Sequence, residues 1–398
     1  MGWLRTIKRQ YFLAVSVAGC VLPFFPVYLK EVKGLSSTEV GYAQAAGSLA
    51  MLLAPLLATF LADTWLSTRR LLGLTLIACS GFLFLMQLLQ PIWLVVLCMG
   101  GMQLMYSPQL ALLDGFFFGK TRQLASAGLA QVPQYYQVRV WGSIGFMVPS
   151  VGLFFLLDGE GGLEWVVWLG VLGCVLAALN AQAFPPMREA LGDPAAEEKL
   201  PTLAALSALF RGRARWYCLA LASMHFGALA YYGFFPVYLR EVVQLPSKWV
   251  GLVINFGVLL EIGWVLGLGW LERKFGFKRL MLFGLLAGVV RLFCLAVFPS
   301  TLTGVLVHLL HGPEVLAIYV LPVIYVDRFA EPRFRNSIQG VYTVMIVGLP
   351  RIVGAMLMGR LADWDLQAMF LVAGSISVVA VASFLFWVRQ ERRHASQG

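Results

Sequence analysis

Runs of about twenty apolar residues, each closed by a short polar or charged stretch, recur along the whole chain. Short alternating strands with regular turns are absent, which argues against a membrane β-barrel. A bilayer core about 30 Å thick is crossed by about 20 helical residues, so each run reads as a transmembrane helix. The pattern predicts twelve, over 11–29, 40–62, 71–89, 92–118, 135–157, 163–183, 216–239, 249–271, 280–298, 302–326, 337–359 and 366–388. Pro55, Pro108, Pro149, Pro313, Pro322 and Pro350 interrupt several of them. Membrane helices accept such breaks where a neighbouring helix or a wet cavity satisfies the freed carbonyls.

One phrase closes both the first span and the seventh. FFPVYLKEV occupies 24–32 and FFPVYLREV occupies 234–242, differing only in Lys30 against Arg240. A Val-Gly pair follows each at the same offset, Val40-Gly41 and Val250-Gly251. A repeat whose period is about half the chain marks duplication of a whole helical half, the pattern of transporters built from two related bundles. The predicted architecture is an all-α membrane protein of twelve transmembrane helices in two pseudo-symmetric six-helix bundles, 1–183 and 216–398. The linker 184–215 is the longest polar stretch, with Pro185-Pro186, Asp193-Pro194 and Glu197-Glu198-Lys199. It has room for a short surface helix near 203–210 and none for a soluble domain.

Composition strengthens this picture. Hydrophobic residues make up 60% of the chain and charged residues 13%, with a mean hydropathy of +0.79. A soluble domain carries roughly twice that share of charge. The net charge of +10 would suit nucleic acid, but the charges cluster in short loops between apolar spans. With the N-terminus inside, 22 of the 30 Lys and Arg fall in cytoplasmic segments, from Arg5, Lys8 and Arg9 to Arg389, Arg392 and Arg393. Five (Lys30, Lys33, Arg240, Lys248 and Arg360) fall on the other side, and three lie within spans. That bias predicts a multi-pass protein of the plasma (inner) membrane with both termini cytoplasmic. It explains the basic balance with no nucleic-acid partner. The six cysteines all lie in predicted helices without CxxC or metal spacing, so neither a disulfide framework nor a metal site is expected. Arg5, Lys8 and Arg9 precede a long apolar run with no small-residue cleavage site, so that run reads as the first span.

These features resemble the major facilitator superfamily over the whole chain. The loop LADTWLSTRRLL (61–72) is similar to that superfamily's signature loop, an Asp followed by a basic pair. Asp63, Arg69 and Arg70 match it, while Thr59 and Thr64 stand where a Gly and a basic residue are usual. The resemblance implies a gating role for the three that match. Glu272 with Lys278-Arg279 is a looser counterpart in the second half. VRVWGSIGF (138–146), GVLLEIG (257–263), GVVRLF (288–293) and LLHG (309–312) resemble the corner holding phenylpropionate permeases and nucleoside:proton symporters. ADTWLS (62–67) leans to the nucleoside branch, and 230–234 with 257–261 to the phenylpropionate branch. Where nucleoside symporters place amides on span seven, this chain has Tyr231 and Phe234.

An ionisable residue deep in a bilayer is costly, so it is a functional candidate by default. Glu261 lies near the middle of span eight, and Glu314 near the middle of span ten, after His308 and His311. Spacing of three puts His311 and Glu314 on one helical face. Low dielectric favours the neutral carboxyl, so such a group can take up and release a proton near neutral pH, and an imidazole can assist. Glu261, Glu314 and His311 are therefore the candidate proton-coupling residues. The family resemblance also implies carboxylates on spans eight and ten. The plainer alternative is an Arg–Glu pair that only holds helices together, with Arg351 or Arg291 as the cation.

Arg139 opens span five and Asp114 ends span four. Arg139 is a candidate for binding a polar or anionic group, since its planar fork suits bidentate contacts. The alternative is a snorkelling Arg paired with Asp114. Arg351 lies in the glycine-rich span eleven and is expected to face the cavity. Arg291, on span nine, is expected to be structural. Tyr231, Asn255 and Tyr28 complete the candidate substrate-binding set. No Walker loop, HExxH or GxSxG occurs, so no enzymatic chemistry is expected. The reading is a monomeric secondary active transporter in the lipid bilayer. It needs no cofactor beyond a proton gradient and imports a small organic solute (an aromatic carboxylate, a nucleoside or a sugar) by symport. Export by the same fold, a transport-inactive sensor and a lipid flippase are the alternatives.

Overall fold

The computed structural model describes residues 2–64, 67–126, 134–157, 162–185, 209–326 and 340–395. Side chains of 55–66 and most of the central linker, 186–208, fall outside the described residues. Among the described residues ten helices are long and apolar enough to cross a membrane, or eleven when Gly2–Val21 and Phe25–Glu31, bent by 40°, count as one span. The 28-residue helix Ser37–Thr64 stands where the second span is expected. Leu266, Phe155 and Trp364 remain more than three-quarters exposed. Side chains of that size in the open are at home against lipid tails and not in water.

The chain divides into two compact units. The first holds Met1–Leu35, Ala46–Ala195 and Ser247–Leu252; the second holds Ser36–Ala45, Ala196–Pro246 and Val253–Gly398. In the first, Ile7, Tyr11, Leu72, Leu113, Phe116 and Phe184 are buried together. In the second, Tyr217, Met224, Met281, Leu285, Phe384 and Trp387 form the core. Ser36–Ala45 is tied into the second unit by Asp363, whose carboxylate accepts the backbone N–H groups of Ser37 and Thr38 at 2.5 and 2.8 Å. It thereby serves donors that the first turn of helix Ser37–Thr64 leaves free.

The duplicated phrase shapes helix ends. Tyr28 and Tyr238 are both wholly buried. Leu35 N–H bonds back to Leu29 C=O at 3.0 Å, and Leu245 N–H to Leu239 C=O at 2.8 Å. Each six-residue closure needs a left-handed residue just before it. Gly34 supplies it at φ 68°, and its counterpart Gln244 adopts φ 58°. A side chain in that conformation costs roughly 1–2 kcal/mol. Gln244→Gly is expected to raise stability by about 1 kcal/mol, and thermal unfolding of the purified protein in detergent measures it.

Some of the prolines break helices and others do not: Pro149 lies inside the continuous helix Tyr136–Gly152, and position 55 lies within the unbroken helix Ser37–Thr64. Pro108 separates Ile92–Tyr106 from Gln109–Ser126. Span ten is the most irregular: Thr301–Leu306, a 3₁₀ turn Val307–Leu310, His311–Val315, a π turn Leu316–Val320 and then Leu321–Val326. Leu321 N–H reaches back five residues to Leu316 C=O. Pro322 has no N–H for Ile318 C=O, which favours the wider turn. A second π turn, Thr343–Gly348, precedes Pro350 in the same way. Single π turns of this kind concentrate at functional sites.

Candidate functional site

Helix Phe277–Val297 carries one charge beyond its first turn, Arg291. Gly288 and Gly284 lie on the same face, one and two turns earlier. A Cβ at Gly284 would run into the Pro313 carbonyl. Only a glycine lets this helix approach His311–Val315 so closely, and that approach delivers Arg291 to the ionisable residues of span ten.

Arg291 is wholly buried. Its Nη1 donates to Glu314 Oε2 at 2.5 Å and to His311 Nδ1 at 2.9 Å. Its guanidinium carbon lies 3.2 Å from the centre of the Tyr231 ring, a cation–π contact in a desolvated place. An arginine can only donate, so His311 Nδ1 is the acceptor and the neutral ring carries its proton on Nε2. That nitrogen is 3.4 Å from Glu261 Oε2. A second histidine is fixed the opposite way. His308 Nδ1 is 2.9 Å from Gly304 C=O, which can only accept, so Nδ1 holds the proton and Nε2 receives the Tyr231 hydroxyl at 2.8 Å.

The cluster therefore holds one fixed cation and two carboxylates. The Arg291 and Glu314 side chains are 0% and 2% exposed, and that of Glu261 is 32% exposed. With Glu261 ionised the cluster carries one net negative charge; a proton on Glu261 makes it neutral. Glu261 is the one ionisable member of the three that is not sealed by the protein. His311 cannot accept a second proton without giving up its bond from Arg291.

The first unit has its own cluster. The Tyr11 hydroxyl donates to Asp114 Oδ1, and the Tyr135 hydroxyl donates to the same oxygen at 2.8 Å. The Arg139 guanidinium lies 5.8 Å from the Tyr11 ring centre. The direct pairing of Arg139 with Asp114 weighed from the sequence is not made: two phenols bond one oxygen of the carboxylate, and Arg139 stacks on the ring of one of them.

The other candidates are more scattered. Arg351 Nη1 donates to the Tyr319 hydroxyl at 2.8 Å and is not part of the Glu314 cluster. Asn255 is buried on helix Ser247–Phe275, upstream of Glu261. Tyr28 is wholly buried with its hydroxyl on Gln87 Oε1 at 2.6 Å, a tie inside the first unit. Arg69 is half-buried and Arg70 exposed at the start of helix Thr68–Leu88, while the Asp63 side chain lies outside the described residues.

Sequence reasoning weighed Arg291 as the cation of an Arg–Glu pair, which the structure shows with Glu314, but did not join it to His311 and Tyr231. It gave Arg291 a structural part and left His308 without a partner. The available signal was the spacing Gly284, Gly288, Arg291, a smooth face ending in a lone charge, with His308, His311 and Glu314 three apart on the next span.

Comparison with known proteins agrees with this architecture. The family model described as MFS_1 like family matches residues 4–372. The Escherichia coli xanthosine permease is 23% identical over 412 residues, covering 97% of this chain and 96% of that protein. The probable 3-phenylpropionic acid transporter of the same organism is 28% identical over 72% of each chain. The crystal structure of the nucleoside transporter NupG superposes with a TM-score of 0.84 at 18% identity, covering 98% of this chain and 99% of that one. The fold is that of the major facilitators, and the protein is an integral, multi-pass membrane transporter and not an enzyme. The chain belongs to the MFS_1-like family of secondary transporters.

Proposed function

We propose that this protein is a proton-coupled symporter that imports a small aromatic or nucleoside-like solute by alternating access. Glu261 carries the exchangeable proton, and the buried Arg291–Glu314 pair, joined to it through His311, holds the field in which it titrates. The observation that carries this reading is the uneven exposure of a one-cation, two-carboxylate cluster: the pair is sealed and the spare carboxylate is open. A purely structural ion pair needs no third charge beside it, and leaving one there is costly in low dielectric. That also speaks against a transport-inactive sensor. The positive-inside bias supports cytoplasmic termini in a plasma membrane.

Arg139, freed from Asp114, and Arg351 are the cations offered to substrate oxygens. Relatives matched over nearly their full length are named as xanthosine and nucleoside permeases, which favours a nucleoside. A second reading, an aromatic carboxylate, rests on helix Ala214–Glu241. It has no Asn or Gln, and it sets Tyr231 under Arg291. Proteoliposomes with an inward proton gradient test both. Labelled purine nucleoside is expected to accumulate at least several-fold above the no-gradient control, with phenylpropionate the weaker substrate. Accumulation of neither, or accumulation independent of the gradient, overturns the proposal.

A further inference from the structure

One feature of the first unit has no part in that mechanism. A cavity of about 930 Å³ opens at one end of the bundle, where helices Gly2–Val21 and Tyr136–Gly152 begin and Gln109–Ser126 and Glu164–Ala181 finish. Arg5, Lys8, Arg9 and Lys120 line it with Trp3 and Trp141, and among the described residues no carboxylate does. Lys120 Nζ bonds only a neutral group, Gln123 Oε1 at 2.8 Å. Among the described residues Arg5, Lys8 and Arg9 have no carboxylate partner. Trp3 is braced against Phe116 and Phe117 at 6.5 and 6.3 Å, and Trp141 is 38% exposed.

We propose that this cavity binds the phosphate headgroup of an anionic phospholipid from the cytoplasmic leaflet. Four cations held together without counter-charge repel one another, and an anion relieves that repulsion. The flanking tryptophans are the side chains that prefer headgroup depth, polar on one side and apolar on the other. Basic pockets among membrane helices on the cytoplasmic side take anionic headgroups. The volume admits two phosphates, so a diphosphate lipid such as cardiolipin is expected to bind more tightly than phosphatidylglycerol. A free phosphate offers the same charge but no acyl chains to lie along the apolar flank of the bundle.

The test uses the full-length protein in neutral detergent, with lipid binding read by native mass spectrometry and by thermal shift. Cardiolipin and phosphatidylglycerol are expected to bind and to raise the melting temperature. Phosphatidylcholine and inorganic phosphate at the same concentration are expected to do neither. Lys8→Gln with Arg9→Gln and Lys120→Gln is expected to weaken cardiolipin binding by about tenfold or more. Because removing charge can disturb insertion, the charge-keeping pair Lys8→Arg with Lys120→Arg is the companion variant and should bind like the parent. Removing equal charge from helix Leu366–Ala395, by Arg389→Gln with Arg392→Gln and Arg393→Gln, should change binding less than twofold. Equal stabilisation by phosphatidylcholine or inorganic phosphate overturns the proposal, as does equal loss in the two charge-removing triples.

Discussion

Glu314→Gln is expected to destabilise the protein by about 3–5 kcal/mol, because it leaves a wholly buried guanidinium without its carboxylate. Glu261 cannot stand in, since His311 lies between it and Arg291. The cost comes from the orphaned charge and not from the hydrogen bond alone. Replacing both partners with apolar residues, Arg291→Met with Glu314→Leu, should therefore recover most of the loss. A double-mutant cycle on thermal unfolding, with ligand-free protein, reads the coupling directly. Glu314→Gln unfolding at the parent temperature would show that Arg291 has another counter-charge. The double variant should fold and yet fail to accumulate solute, which separates the pair's two contributions.

The second large effect concerns coupling. Glu261→Gln keeps the size and hydrogen-bonding shape of the side chain and fixes it in the neutral form. Gradient-driven accumulation should fall to the level reached without a gradient. Solute counterflow, which needs alternating access but no net proton movement, should persist at a rate comparable to the parent. Loss of both would mean that Glu261 holds the fold or the solute and not the proton. Retention of both would remove Glu261 from the mechanism.

Much of this was legible in the sequence, for reasons that are physical. A bilayer demands long apolar helices, and the apolar runs of the sequence marked them: ten or eleven of the twelve expected spans meet that test of length and hydropathy among the described residues. The duplicated phrase gave the expectation of two related halves, and its two copies share a buried tyrosine and a matched helix closure. Glu261, His311 and Glu314 stood out because charge inside lipid is rare. The part not legible was which faces meet. Nothing in the residues 277–297 says that Gly284 abuts Pro313, yet that contact turns Arg291 from a lone buried charge into the hub of the cluster. The π turn before Pro322 is likewise a matter of register: the proline predicts a break but not how the helix widens. In the first half, Arg139 and Asp114 looked like a pair by charge alone. Two tyrosine hydroxyls, which no charge pattern signals, had already taken the carboxylate.

Proton movement measured directly during transport bears hardest on the central claim. Proteoliposomes loaded with a pH-sensitive dye and given transported solute, with no imposed gradient, should acidify inside with the parent protein. They should show no pH change with Glu261→Gln, although labelled solute still enters. Acidification of equal size in both would contradict the assignment of the exchangeable proton to Glu261 beside a sealed Arg291–Glu314 pair.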